Sequence, residues 1–324
     1  MAKLQIESTT KKSGLPAMDR RSFVKRAAND FRMNKTIYLM LLPVVVYYLI
    51  FHYGPLYGLQ IAFKDYSPMK GFADSPWIGL KHFTAFFDSF YFWRLLRNTI
   101  LLSVYSLIMA FPAGIILALL LNEIRSRAFK RAVQTITYMP HFISLVVIVG
   151  FMVDFLERNG LINKLLTSIF GIDSIPFMRQ PEWFRTLYIG SDIWQNIGWS
   201  SIIFLAAISN IDPSLYEASK IDGASRWKQT LHITIPGIMP TVIILLILQI
   251  GHFMSVGMDK ILLMYNPATY ETADVIQTYV YRKGILEADY SYSAAVGLFN
   301  SVISFVLLIL ANAIARRTSE ARLW

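Results

Sequence analysis

Cysteine is missing from the 324 residues. Its absence excludes disulfide frameworks, thiolate metal sites and thiol nucleophiles. Charge is scarce: Asp, Glu, Lys and Arg make up 16% of the chain, against about a quarter in a soluble domain. Five histidines, His52, His82, His141, His232 and His252, show no ligand spacing, so each reads as a packed or interfacial residue. No phosphate-cradling G-x-x-x-x-G-K-[ST] occurs, and the chain is not expected to hydrolyse ATP itself. The nearest stretch, GASRWKQT, lacks the second glycine and the lysine in register. H-E-x-x-H and G-x-S-x-G are missing too. Asp154, Asp192 and Asp259 sit near the ends of apolar runs, where water is close. A self-powered carrier places such groups at mid-membrane. Their scarcity argues against a secondary transporter or channel, the alternative reading. Paired ionisable groups at matching depth, which a membrane enzyme needs, are not found.

What the chain does have is apolar length. Hydrophobic residues make up 55%, with a mean hydropathy of +0.44. They gather in blocks of about 17 to 24 residues, the length a helix needs to cross a core of about 30 Å. The expectation is an all-α membrane protein with six spans, at about 37–53, 98–121, 138–156, 187–209, 237–258 and 292–315. Residues 1–36 read as a basic cytoplasmic tail, and 37–324 as the membrane domain. The first apolar run begins too late for an ordinary secretory signal.

The net charge of +10 follows membrane topology and does not mark a nucleic-acid binder. With the N-terminus inside, the inner segments hold nine Lys and Arg in the tail, four over 125–131, three over 220–228 and three over 316–322, which is 19 of 31. The tail supplies much of this asymmetry, but the short inner loops are also densely charged. Both termini are therefore placed inside. The first outer loop, about 54–97, carries Phe83, Phe86, Phe87 and Phe90 at helical spacing. It reads as an amphipathic helix lying at the outer interface, either as a headgroup anchor or as a docking site for an outside partner.

One polar interruption is unusually structured. In NIDPSLYEASKIDGAS, Asp212 is a good N-cap and Pro213 suits the first helical position. Gly223 sits where a helix ends in a left-handed residue. A capped helix over about 213–222 is predicted, too short to be stable alone in water. Ser225 can cap a second helix, with Trp227 and Leu231 four apart on one stripe. Pro236 and Pro240 then mark the entry to the fifth span. A solvated loop whose residues only cap helices would look the same.

The stretch E-A-S-K-I-D-G-A, eight residues, then I-T-I-P resembles the EAA loop of ATP-binding-cassette importer permeases. That pattern is E-A-A-x-x-D-G-A, eight residues, then I-x-L-P. Glu217, Ala218, Asp222, Gly223, Ala224, Ile233 and Pro236 match; Ser219 and Ile235 depart conservatively. The Asp-Gly form looks like the sugar-importer branch. GPLYGLQIAFKDYSP, together with the basic tail, is similar to its polysaccharide and oligosaccharide subgroup. Length and this combination look like the larger permease subunits of bacterial alginate importers.

The resemblance implies a type I importer permease fold with a coupling loop at 212–236. Glu217, Ala218, Ser219, Asp222, Gly223 and Ala224 would couple it to an ATP-hydrolysing subunit. Implied partners are a second, similar permease subunit, two ATPase subunits that hold ATP and Mg, and an extracytoplasmic solute-binding protein. The substrate path would run along the spans flanking the loop. Trp194 is in register with the family's tryptophan, and Gln195, Asn196 and Trp199 could bond hydroxyls or stack on sugar rings. Gln249, His252, Phe253 and Ser255 are the candidates in the fifth span. The same residues could be interfacial aromatics and packing polars. Gly251 and Gly257 would allow close helix packing in lipid.

Overall fold

Apolar runs that must pair every backbone group without water can only become helices or closed barrels. The computed structural model describes residues 29–318 and is helical among them, apart from one isolated bridge between Lys64 and Trp77. Of the expected tail, residues 1–28 lie outside the described residues. The chain divides into two compact units between Leu59 and Gln60. The first unit carries most of helix α1, Lys35–Phe63. None of the residues Lys35–Tyr48 is buried, and they are apolar all round.

The second unit begins with the end of α1. It continues with α2 (Lys81–Phe87), α3 (Phe92–Glu123), α4 (Arg127–Tyr138), α5 (Leu145–Leu156) and α6 (Leu161–Phe170). Helices α7 (Pro181–Ser209), α8 (Pro213–Ile221), α9 (Arg226–Gly251), α10 (Met258–Met264), α11 (Ile276–Tyr281) and α12 (Tyr290–Thr318) follow. Four helices, α1, α3, α9 and α12, are long and apolar enough to cross a membrane. A fifth candidate is the pair Arg127–Phe142 and Leu145–Phe170, bent by 99°. Helix α7 contains the expected 187–209 and has 29 residues. It is long enough at about 1.5 Å per residue, but it also carries Glu182, Arg185 and Asp192.

Three sequence expectations need correction. The expected span 138–156 is not one helix. Pro140 lies in a 3-10 turn at Met139–Phe142, Ile143 is extended, and the Ser144 hydroxyl accepts from Val147 N at 3.4 Å to start α5. A helix stop and a helix start thus sit inside one apolar run. Its remainder, α5, has 12 residues, about 18 Å of helix and well short of a 30 Å core. The interfacial helix of the outer loop is also broken, because α2 ends at Phe87. Phe86 is fully buried against Leu95, Met254, Ile276 and Val296, so it anchors protein and not headgroups.

The third correction concerns Pro236 and Pro240, which mark no entry point: α9 runs through both. A proline lacks an N–H and its ring clashes with the carbonyl four residues back. Here the strain is relieved upstream. A π-helical turn at Thr230–Thr234 ends two residues before Pro236, and Ile235 donates to the Thr230 carbonyl five back. The same arrangement recurs twice. Leu49–Tyr53 precedes Pro55, and Ser106–Ala110 precedes Pro112. Such π bulges re-pair carbonyls that a proline would orphan.

Three buried clusters hold the second unit together. Ala118, Phe204, Ile208 and Ile238 join α3, α7 and α9. Leu102, Val149, Tyr188 and Ile261 join α3, α5, α7 and α10. Phe86, Leu95, Tyr279 and Val296 join α2, α3, α11 and α12. Small residues let helices approach, as expected in lipid. A Cβ on Gly251 would lie 3.0 Å from Leu308 Cδ1, and one on Gly257 2.8 Å from Tyr188 Oη.

Candidate functional site

The loop between α7 and α9 forms as its caps dictate. The Asp212 carboxylate accepts from Ser214 N at 2.9 Å, and Pro213 opens α8. That bond, with the Ser214 hydroxyl, holds the Asp212 carboxyl below the usual range. Gly223 turns the chain at φ +77°, a region that side chains disfavour. The Ser225 hydroxyl then accepts from Lys228 N to open α9. Three side-chain contacts fix the loop to the helices. Tyr216 Oη and Thr234 Oγ1 are 2.9 Å apart, Gln229 Nε2 donates to Ser219 Oγ at 3.0 Å, and Arg226 pairs with Glu123 at 2.9 Å. Glu217, Ala218, Asp222 and Gly223 remain exposed, and Ala224 is half-buried. Leu215, Ile221 and Trp227 are also exposed, Ile221 at 88%. Apolar side chains rimmed by charge, on a loop held rigidly, are a surface suited to a partner.

Two adjoining cavities lie between α3, α7 and the end of α9. The larger, about 350 Å³, is lined by Asn196, Trp199, Gln249 and His252 among others. The smaller, about 170 Å³, takes Gln249, His252, Phe253 and Ser255. Six of the eight expected path residues therefore converge. Trp194 and Gln195 line neither cavity, and Trp194 is half-exposed elsewhere on α7. Helix α9 stops at Gly251, and the backbone beyond it unwinds. Two side chains satisfy the freed carbonyls: the Ser103 hydroxyl donates to Phe253 O, and Asn300 Nδ2 donates to Met254 O at 3.3 Å. Irregular backbone inside a membrane protein requires such partners.

Sequence reasoning missed Ser106, which lines both cavities with Asp192, and it missed a polar chain behind them. His141 Nδ1 lies 3.0 Å from Asn196 Oδ1. An amide oxygen only accepts, so Nδ1 donates. Asn196 Nδ2 donates to Asp192 Oδ1 at 3.0 Å, and Lys260 Nζ stands 3.9 Å from the same oxygen. Lys260 also donates to Tyr188 O at 3.2 Å and lies over the Tyr188 ring. Burial pulls its ammonium down to about 8, against the opposing attraction of Asp192. His141 stacks on Trp199, ring centroids 4.5 Å apart at 5°. Gly198 makes this possible, since a Cβ there would lie 2.1 Å from Thr137 O and push the end of α4 away. The result is a wall of hydrogen-bonding and aromatic groups in fixed orientations.

A second polar cluster stands where α3 and α7 begin. Asp274 is fully buried and takes Arg282 at 2.7 Å, Arg94 at 3.4 Å and the Thr278 hydroxyl at 2.8 Å. Asn98 donates to the carbonyls of Glu271 and Asp274 at 2.9 and 3.0 Å. Its own Oδ1 accepts from Arg185 at 2.9 Å.

Residues 110–320, which include the loop and the cavity-lining residues of α7 and α9, match the family described as binding-protein-dependent transport system inner membrane component. The chain belongs to that family. Two proteins of Bacillus subtilis resemble it over nearly their whole length. Protein LplB of Bacillus subtilis (strain 168) is 43% identical over 98% of this chain and 100% of its own. The polygalacturonan/rhamnogalacturonan transport system permease protein YteP of the same organism is 44% identical over 96% and 98%. Among solved structures, a bacterial ABC transporter involved in the import of the acidic polysaccharide alginate matches with a TM-score of 0.85. It is 46% identical, over 91% of this chain and 100% of that one. The alginate transporter in complex with an alginate pentasaccharide-bound periplasmic protein matches with the same score at 44% identity, over 91% and 99%. The permease described here thus has the type I importer fold and is a multi-pass protein of the bacterial inner membrane.

Proposed function

We propose that this permease is the membrane subunit of an ATP-driven importer for oligosaccharides or polysaccharides, with acidic chains such as alginate as the substrate class. The observation that carries the reading is the 212–236 loop: a capped helix and glycine turn at EAA spacing, clamped to α3 and α9, with its tip exposed. Glu217, Ala218, Ser219, Asp222, Gly223 and Ala224 form the surface that a separate ATPase subunit receives. Two such ATPases hold ATP and Mg; a second permease subunit completes the pore, and a solute-binding protein delivers sugar from outside. The chain crosses the membrane six times with both termini inside, the bent pair Arg127–Phe142 and Leu145–Phe170 together making the third crossing and α7 the fourth, and residues before 37 form the inner tail. Closure of the ATPases pushes α8, and the clamps at Thr234 and Glu123 pass the movement to α9 and α3. That is a rigid-body switch between inward- and outward-facing states.

Asn196, Trp199, Gln249, His252, Phe253 and Ser255 offer sugar hydroxyls their partners along the path, with Trp194 and Gln195 flanking it. Support comes from the convergence of six of these residues and from relatives whose substrates are acidic polysaccharides. The test is Glu217→Lys in the assembled importer. It is expected to abolish substrate-stimulated ATP hydrolysis or assembly with the ATPase, whereas normal stimulation and transport would refute the coupling role.

A further inference from the structure

The larger cavity does not end at Asp192. Ile193 also lines a third cavity of about 460 Å³, one step towards the start of α7. On α3 the two cavities are lined by adjacent residues, Tyr105 and Met109 above, Ser106 and Ala110 below. The two cavities are therefore neighbours along the groove between α3 and α7, and their walls differ. The outer one is lined by Arg185, Glu182, Thr186 and Tyr105. An aromatic face beside a guanidinium, a carboxylate and a hydroxyl is a set of groups that holds a saccharide ring. Its volume lies within the roughly 300–1,000 Å³ of small-molecule sites.

Arg185 is the unusual member. The other half-buried arginines of this region, Arg94 and Arg282, share Asp274. Among the described residues Arg185 has no carboxylate within ion-pair distance; Asn98, itself fixed by two carbonyls, takes one of its N–H groups. Its Nε is buried with no partner among the described residues, as are Arg94 Nε and Arg282 Nη1. Arg97 stands near enough to repel it, while Glu271 attracts it from beyond ion-pair distance. A guanidinium placed by a neutral amide, facing a cavity with donors to spare, fits an incoming carboxylate.

We propose that the outer cavity is a saccharide subsite of the translocation path, in which Arg185 binds the carboxylate of a uronic acid unit and Tyr105 packs against its ring. Glu182 and Thr186 take hydroxyls of the same unit. Arg185 is then a specificity determinant: acidic chains gain an ion pair there that neutral chains cannot make. The inference rests on the sugar-import reading and assigns its charge selectivity to one side chain.

The test uses the complete importer in proteoliposomes, with ATP hydrolysis followed against the concentration of a uronic acid oligosaccharide and of its carboxyl-reduced, neutral counterpart. Arg185→Gln is expected to raise the half-maximal concentration of the acidic oligosaccharide roughly tenfold to a hundredfold, as loss of a charged hydrogen-bonded pair does. The neutral counterpart should change by less than about twofold, and Arg185→Lys should fall between. Tyr105→Ala, on the opposite wall and outside the Asn98 bond, is expected to weaken both oligosaccharides. Equal changes for the two oligosaccharides in Arg185→Gln, or none for either, would overturn the assignment, as would an unchanged Tyr105→Ala. A wild-type importer stimulated by neither would bring down the sugar-import reading, and the subsite with it.

Discussion

The 212–236 loop and the groove between α3 and α7 are built by opposite means. The loop's shape comes from residues close in sequence: Asp212 caps onto Ser214, Gly223 turns, Ser225 caps onto Lys228, and the Arg226–Glu123 pair is its one long-range clamp among the contacts described. The groove comes from residues far apart. Asn98 and Asp274 are 176 positions apart, and Lys260 meets Tyr188 across 72. The loop is exposed and organised by its backbone, whereas the groove is half-buried and organised by side-chain charge. A substitution in the loop should therefore act locally and cost little, and one in the groove should spread.

The sharpest way to break this contrast is Asp274→Ala. Removing the carboxylate leaves Arg94 and Arg282 without their shared partner. Loss of one member of a buried ion pair costs about 3–5 kcal/mol, and the lower end applies here because both arginines reach water. Thermal unfolding of the detergent-solubilised complex should show it as a large drop, and a change as small as a loop variant's would contradict the contrast. Gly223→Ala comes next. At φ +77° an L side chain costs about 1–2 kcal/mol, and the expected readout is faster proteolytic nicking within 219–226 with the membrane helices unaffected. A fall in the unfolding temperature as large as that of Asp274→Ala would mean the loop is not local.

A double-mutant cycle on His141 and Trp199 should return a coupling of about 0.5–1.5 kcal/mol, the range for stacked rings. Strict additivity would show that the stack adds nothing beyond buried area. The smallest effect concerns pH. The Asp212 carboxyl is held low in the folded loop, so its cap contributes above the unfolded value of about 3.9 and is lost as pH falls through the folded one. Asn caps as well as Asp, and Asp212→Asn should remove this acid-side fraying of α8 while leaving amide exchange at pH 7 unchanged. Equal fraying of both proteins below about pH 4 would place the acid lability elsewhere.

The same difference decides what was legible in the sequence. Caps, the glycine turn and the spacing of Glu217 to Pro236 are local, so α8 was expected within a residue. The break at Pro140 and Ser144 was also written locally, as a helix stop followed by a cap, but the apolar run around it masked the signal. Asn196, Trp199, Gln249 and His252 could be proposed because they flank the loop at a known distance. His141 and Lys260 could not, since nothing near them in sequence says that they meet Asn196 and Asp192. Phe86 misled for a related reason: its spacing fits an interfacial stripe, and only the fold supplies the Leu95 and Met254 that cover it.

The proline-linked π turns have a consequence for phase. In α3 the buried residues before the turn are Leu95, Asn98, Thr99, Leu102 and Ser103; those after it are Gly114, Ala118 and Leu121. Continued at 3.6 residues per turn, the centre of the first stripe would arrive near 113, 117 and 120, one position early. The π turn at Ser106–Ala110 takes up that extra residue, worth a rotation of about 100°. Pro112 thus sets the angle at which the inner half of α3 faces α7. With an ordinary helical residue there, the turn could wind tight and carry Gly114 and Ala118 off the seam. Two halves of one helix then read as two sequences with a single residue of offset between them, and the proline keeps count.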